Sequence, residues 1–192
     1  KKIFLFILVF LLPIKVQAIS AESYVVMDYD SGRVLESKNE NKEKLIASTT
    51  KIMTAIIALE NKDINSVRKV GEEVLKAYGS AIYLSLDEEI TLKDLLYGLM
   101  LRSGNDAAIE IAYHVSGNME NFVLLMNQKA YELGMSNTKF INNHGLEEND
   151  GTANTSTALD MAILMRYALK NETFREIIHT KTYEAKTSGK TY

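Results

Sequence analysis

Cysteine is absent from this sequence, which removes disulfides, thiol nucleophiles and thiolate metal sites together. A fold that reaches an oxidising compartment must then stand on its core alone. Histidine is scarce, at positions 114, 144 and 179, and no two of these make the His-x-x-x-His pair that holds zinc on a helix face. A zinc site is therefore not expected. Positive charge is not in excess: 22 Lys and Arg stand against 25 Asp and Glu, for a net charge of −3. A nucleic-acid partner needs a basic face, and none is expected. Long apolar runs are missing as well. The run from Ile3 to Leu12 has ten residues, too few to span a bilayer as a helix. Internal repeats and low-complexity segments are also lacking.

What that first run does resemble is an export signal. Lys1-Lys2 precedes it, Pro13 follows it, and Val16-Gln17-Ala18 offers a small-residue ending. A basic start, a short apolar stretch and a small-x-Ala close predict a secretory signal peptide over residues 1–18. Its removal takes three lysines and no acid, leaving 19 basic residues against 25 acidic ones, a net charge of −6. Residues 19–192 are then expected outside the cytoplasm, and they are long enough for one domain or one and a fraction.

The stretch that organises the rest is Ile46-Ala47-Ser48-Thr49-Thr50-Lys51, which opens a mostly apolar helix running to Leu59. Ser-x-x-Lys places both side chains on one helix face, roughly 5–6 Å apart at Cβ. A lysine held against apolar helix loses hydration, and its pKa falls from about 10.4 toward a range where the amine accepts a proton. A serine hydroxyl beside such an amine is a candidate nucleophile. The positive end of the helix favours negative charge developing there. The pattern alone is weak, since Ser66/Lys69 and Ser136/Lys139 repeat it in this chain and a capping serine with a solvated lysine would look the same. Only Ser48/Lys51 opens a long apolar helix.

Elsewhere the spacing predicts a hairpin from 23–29 and 33–37 around Asp30-Ser31-Gly32. Asp28 and Asp30 belong to that turn, because the ligand series and terminal glutamate of a calcium loop are missing. Thr91-Leu92-Lys93-Asp94 reads as a capped helix start leading into Leu95–Leu101. A break at Arg102-Ser103-Gly104-Asn105 precedes a second apolar helix from Asp106 to Val115, and a third runs from Met119 to Leu133 ahead of Gly134. From Thr138 to Thr155 the chain is a long polar loop holding Phe140, Asn142, Asn143, His144 and Gly145; loops of that length are functional or mobile. Ser156 or Thr157 caps a helix reaching Leu169, and a short helix covers Glu172–Ile178. Thr180 to Tyr192 alternates like the start of a hairpin. Because two strands make only a marginal sheet, the sequence reads as cut off there.

Ser103 and Asn105, in a break between two apolar helices, can aim a hydroxyl and an amide into a cleft shared with the Ser48 helix. Ser-x-x-Lys on a buried helix, followed about fifty residues later by Ser-x-Asn on an interhelical loop, resembles the penicillin-recognising serine enzymes. Ile46–Thr54, Leu101–Ala108, Gly79-Ser80-Ala81, Asn143-His144-Gly145-Leu146 and Ser156–Ala162 are similar, in order, to the low-molecular-mass D-alanyl-D-alanine carboxypeptidases. The resemblance runs from about Tyr24 to the end. It implies an α/β (α+β) chain of the β-lactamase/transpeptidase-like fold, made of an N-terminal β-hairpin and a helical subdomain, with most of the central antiparallel sheet missing. It also implies that Ser48 attacks a terminal D-Ala–D-Ala bond of a peptidoglycan stem peptide. Lys51 takes the proton and passes it on with Ser103, Asn105 holds the substrate backbone, and the Ser48 N–H serves the oxyanion. β-Lactam antibiotics would acylate the same serine. No cofactor is implied, and a membrane would be met only through a C-terminal anchor that these residues do not contain.

The family's Lys-Thr-Gly motif is not found: Lys181-Thr182, Lys186-Thr187 and Lys190-Thr191 are each followed by another residue. Gly189-Lys190-Thr191 mimics a phosphate-binding loop, but Glu184 stands where its earlier glycine is needed. The Lys-Thr-Gly strand supplies the second oxyanion donor, and loss of one donor costs about 10²–10³ in rate. These residues alone are thus expected to have little or no activity. Two alternatives compete with the carboxypeptidase reading. A serine β-lactamase would need a water-activating carboxylate, for which Glu147, Glu148 and Asp150 lie in the right stretch without the Glu-x-x-x-Asn pattern. A non-catalytic penicillin- or wall-binding protein would need no Ser48 chemistry at all.

Overall fold

In a computed structural model of the chain, residues 20–189 and 192 are described. The signal peptide expected over 1–18 lies outside them, as do Lys190 and Thr191. In chain order the elements are β1 (Tyr24–Met27), β2 (Val34–Lys38), β3 (Lys44–Leu45), a 3-10 turn (Ala47–Thr50), α1 (Lys51–Asn61), β4 (Val67–Lys69), a second 3-10 turn (Glu72–Lys76), β5 (Glu89–Thr91), α2 (Leu92–Arg102), α3 (Asn105–Ser116), α4 (Met119–Glu132), β6 (Thr155–Ser156), α5 (Ala158–Ala168) and α6 (Glu172–His179). None of the described helices is long and apolar enough to cross a membrane.

Helix α1 forms the centre because its sequence leaves no polar stripe. Met53, Ala55, Ile56, Ile57 and Ala58 are all buried, as are Lys51 and Thr54. Helix α3 is buried without interruption from Asn105 to Ala112. Its small residues Ala107, Ala108 and Ala112 let α1 and α2 approach it closely. Phe122 and Met126 on α4, Leu164 on α5 and Phe174 on α6 close the core around this pair. The expected cap at Thr91 is present, its side chain accepting from the Asp94 N–H. Of the two residues expected to cap the helix after the long loop, Thr157 does so through the Asp160 N–H.

The strands form three separate antiparallel pairs. In β1–β2, Tyr24 faces Lys38, and the register shifts between Val26 and Met27. The hairpin turn is held by Asp28, whose Oδ1 accepts from the Ser31 N–H at 2.9 Å. Arg166 on α5 ties that turn to the helices by donating to the carbonyls of Tyr29 and Asp30, at 2.7 Å each. The pairs β3–β6 and β4–β5 join segments far apart in sequence. β4 is moored to α3 by Arg68, whose Nε lies 3.0 Å from the fully buried carboxylate of Glu110. Among the described residues of 180–192 the alternation yields no named strand; Ala185 and Tyr192 exchange backbone hydrogen bonds in both directions.

Candidate active site

The first turn of the helix that carries Ser48 is 3-10 rather than α. It spans Ala47–Thr50 and runs directly into α1, so Ser48 and Lys51 still share a face. No side chain caps this end, which rules out a capping role for Ser48 here. Its backbone N–H also donates to no described residue. Ala47, just before it, has φ of +43°, a left-handed conformation that few L-residues adopt.

Lys51 is 2% exposed. Its Nζ donates to Asn105 Oδ1 at 2.7 Å, to the His144 carbonyl at 2.7 Å and, more loosely, to Ser48 Oγ at 3.3 Å. Among the described residues no carboxylate pairs with it. Burial alone pushes the amine down to about 8, since two carbonyl dipoles do not replace the hydration of an ammonium ion.

Asn105 opens α3 where the chain leaves α2. Ser103 ends α2 in the left-handed region, with φ 54° and ψ 35°, and the Gly104 N–H reaches back to the Gly98 carbonyl at 3.2 Å. That closure aims Asn105 inward, where it is 3% exposed. Its Oδ1 meets Lys51, its Nδ2 donates to the Tyr78 carbonyl at 2.6 Å and its N–H donates to the Ser80 carbonyl at 2.8 Å. The amide read as a grip on substrate is thus first a grip on the lysine. Ser103 is half-buried, and its hydroxyl bonds neither Ser48 nor Lys51. Of the four residues singled out in the sequence, three are brought into direct contact, and the fourth sits two residues away at the helix break.

Sequence reasoning missed the groups that surround these. The carbonyls of Tyr78, Ser80 and His144 are backbone atoms and leave no side-chain signal. Asp106 is buried and accepts from the amides of Ile82, Leu84 and Ala107 at 2.8–3.1 Å, which fixes the segment that bears Ser80. The asparagines of the long loop did give a signal, in their number. Asn142, Asn143 and Asn154 are each at most 2% exposed and bind loop backbone and helix together. His144 Nδ1 accepts from the Leu146 N–H at 3.1 Å, and burial holds the imidazole below its usual pKa. Glu148, one of the carboxylates considered for a β-lactamase, accepts from Asn142 Nδ2 at 2.7 Å. Glu147 is exposed, and its carbonyl accepts from the Tyr78 hydroxyl at 2.9 Å.

Comparison with known proteins bears on this geometry. Residues 13–192 match the family described as D-alanyl-D-alanine carboxypeptidase, peptidase family S11. The chain is 40% identical over 169 residues to D-alanyl-D-alanine carboxypeptidase DacF of Bacillus subtilis, covering 85% of this chain and 42% of that protein. It is 35% identical over 187 residues to the D-alanyl-D-alanine carboxypeptidase of Streptomyces sp. strain K15, covering 90% of this chain and 62% of that one. Among solved structures, the D-alanyl-D-alanine carboxypeptidase of Mycobacterium tuberculosis superposes with a TM-score of 0.82 at 32% identity, over 87% of this chain and 65% of its own. The chain therefore spans about two fifths of the length of DacF and about two thirds of the mycobacterial structure. On the family match and these likenesses, this chain belongs to the D-alanyl-D-alanine carboxypeptidase family.

Proposed function

We propose that the chain carries the nucleophile and proton-transfer groups of a serine D-alanyl-D-alanine carboxypeptidase that works on peptidoglycan stem peptides outside the cytoplasm, after loss of the leader at 1–18. The observation that carries this is the environment of Lys51. A neutral amine has two N–H bonds and one lone pair. With Asn105 Oδ1 and the His144 carbonyl each at 2.7 Å, both N–H bonds are engaged. Ser48 Oγ lies at 3.3 Å: a charged lysine donates its third N–H there, and a neutral one has only its lone pair left to take the serine proton. Burial also pushes the amine down to about 8, so a neutral fraction is present near neutral pH.

The reaction then follows from these positions. Ser48 Oγ attacks the carbonyl carbon of the D-Ala–D-Ala peptide bond as its proton passes to Lys51 Nζ. The developing oxyanion is met by the unengaged Ser48 N–H. The lysine returns the proton to the leaving amine, and D-alanine departs as the C–N bond breaks; a relay through Ser103 needs its hydroxyl to turn inward first, since it bonds neither Ser48 nor Lys51. Water, deprotonated by the same amine, hydrolyses the ester and frees Ser48. A β-lactam reacts at the same serine by opening its ring, giving an ester of the same kind. Substrate contact at Asn105 falls to the one Nδ2 hydrogen that Tyr78 leaves free.

The test is covalent. The protein is incubated with a fluorescent penicillin and the adduct is located by peptide mass mapping. A single adduct on Ser48 is expected, abolished in Ser48→Ala. Because these residues hold no Lys-Thr-Gly, labelling of the 192-residue chain by itself is expected to be slow, by the factor of about 10²–10³ that one oxyanion donor supplies. An adduct on another residue, or equal labelling of Ser48→Ala, overturns the proposal.

A further inference from the structure

The segment 141–146 touches the nucleophile's helix at more points than its one hydrogen bond to Lys51. Thr54 lies one turn beyond Lys51 on α1, and both side chains are buried on the same side. Its Oγ1 donates to the Asn143 carbonyl at 2.6 Å, so consecutive carbonyls of the loop, Asn143 and His144, are held by consecutive turns of one helix. A second tie runs through Asn154, whose Nδ2 donates to Thr50 Oγ1 at 2.9 Å and to the Asn142 carbonyl at 2.9 Å. The Asn154 Oδ1 accepts from the Ile141 N–H at 2.7 Å. Asn142 closes the loop on itself, its Oδ1 accepting from the Gly145 N–H at 2.8 Å. None of these side chains reaches Ser48 or Lys51.

We infer that Thr54 is a positioning residue for the proton-transfer lysine: its hydroxyl pins the Asn143–His144 peptide so that the His144 carbonyl faces Lys51 Nζ and water is kept from it. The inference rests on the reading of Ser48 and Lys51 given above and deepens it. A threonine placed only to fill the core would keep its role as valine, which has the same shape. A threonine placed for its hydroxyl would not. The geometry favours the hydroxyl, because the Asn143 carbonyl is buried with Thr54 as its side-chain donor, and Asn143 Oδ1 already lacks a partner among the described residues. Removing the donor leaves two unsatisfied acceptors on one residue, which the loop relieves by moving toward water.

Ionisable groups near Lys51 are His144 and Glu148 on the loop, Asp106 at the start of α3 and Tyr78 on the segment before Gly79. Asp106 is committed to backbone amides, Glu148 to Asn142, and Tyr78 to the Glu147 carbonyl. Burial lowers the pKa of His144, away from the range in which Lys51 titrates. Hydration is therefore the variable that moves the Lys51 titration when the loop loosens.

The experiment follows Lys51 by a lysine-selective NMR titration and, in parallel, the rate of adduct formation with labelled penicillin at saturating and limiting concentration. Thr54→Val is expected to move the Lys51 titration up from about 8 toward the ordinary lysine value. It is also expected to slow the acylation step about tenfold, leaving reversible binding and the final adduct stoichiometry unchanged. Thr54→Ser keeps the hydroxyl and is expected to restore both. A Lys51 titration near 10.4 in the unsubstituted chain sinks the reading of the site itself. A titration near 8 that Thr54→Val leaves in place overturns this inference alone, and so does a Thr54→Ser variant that behaves like Thr54→Val. Should Thr54→Val fail to fold, Thr54→Ala, which also lacks the hydroxyl, is read in the same way against Thr54→Ser.

Discussion

At the scale of single residues, the site comes down to whether one amine is charged. With Lys51 at about 8, roughly a tenth of it is neutral at pH 7, and on the proposed mechanism that fraction is the reactive one. Adduct formation at Ser48 is expected to rise about tenfold per pH unit below 8 and to level off above it; a flat profile from pH 6 to 9 removes Lys51 as the base. The same shift has a consequence for stability. The folded-state pKa is depressed below the unfolded value of about 10.4, so between about pH 8 and 10.4 the unfolded chain holds a proton that the folded chain has lost. Stability contributed by this residue therefore rises with pH across that window, by at most about 3 kcal/mol. The effect is isolated by urea midpoints of the chain and of Lys51→Met: the chain is expected to gain on the variant between pH 8 and 10. A constant difference between the two contradicts the depressed value.

Elements decide how closely the loop and the Ala47–Thr50 turn can meet, and two glycines separate contact from conformation. Gly145 and Gly134 both have positive φ, +86° and +76°. A Cβ on Gly134 would meet nothing within 4 Å, whereas one on Gly145 would lie 1.9 Å from the Ala47 carbonyl oxygen, on backbone that cannot step aside. Gly134→Ala is expected to cost only the left-handed penalty, about 1–2 kcal/mol, and to leave labelling intact. Gly145→Ala is expected to displace the Ala47–Thr50 turn and abolish labelling of whatever protein still folds. Equal effects of the two substitutions would mean that the loop does not brace the turn. These elements also mark what the sequence could disclose. Helices with an apolar stripe and a cap, such as those starting at Thr91 and Thr157, were legible because their signals are local. So was the juxtaposition of Ser48 and Lys51, which needs only helical spacing. Strands β3, β4, β5 and β6 were not, because two or three residues carry no alternation to detect and their partners lie far off in sequence. The hold of Asn105 on Lys51 was illegible for a related reason: it depends on Ser103 adopting a left-handed turn that points the next helix inward.

Across the whole molecule, order is distributed from the helical centre outward, and the site sits where that order is highest. Lys51, Thr54 and Asn105 belong to α1 and α3, whose core residues Ile56, Ile57, Ala108 and Ile111 are at most 1% exposed. The hairpin β1–β2 lies at the other extreme. Val26, Val34 and Leu35 on it are 39–55% exposed, and two strands bury too little to hold themselves. It stays in place through the packing of β1 on α5 and the two hydrogen bonds from Arg166. The segment from Glu72 to Leu86 is similar, with Leu75, Tyr78 and Tyr83 more than half exposed, yet its far end is moored by Asp106. Local opening should follow this gradient. Native-state hydrogen exchange is expected to show amides of α1 and α3 exchanging only through global unfolding, those of 72–78 and β1–β2 exchanging first, and those of 80–84 protected with α3. Arg166→Ala is expected to speed exchange in the hairpin while leaving α1 and α3 untouched, because the hairpin's ties are peripheral and the site's ties are not. Should Arg166→Ala also release the Lys51–Asn61 amides, the hairpin would be part of the core that fixes Lys51, and the separation between scaffold and edge drawn from burial would be wrong.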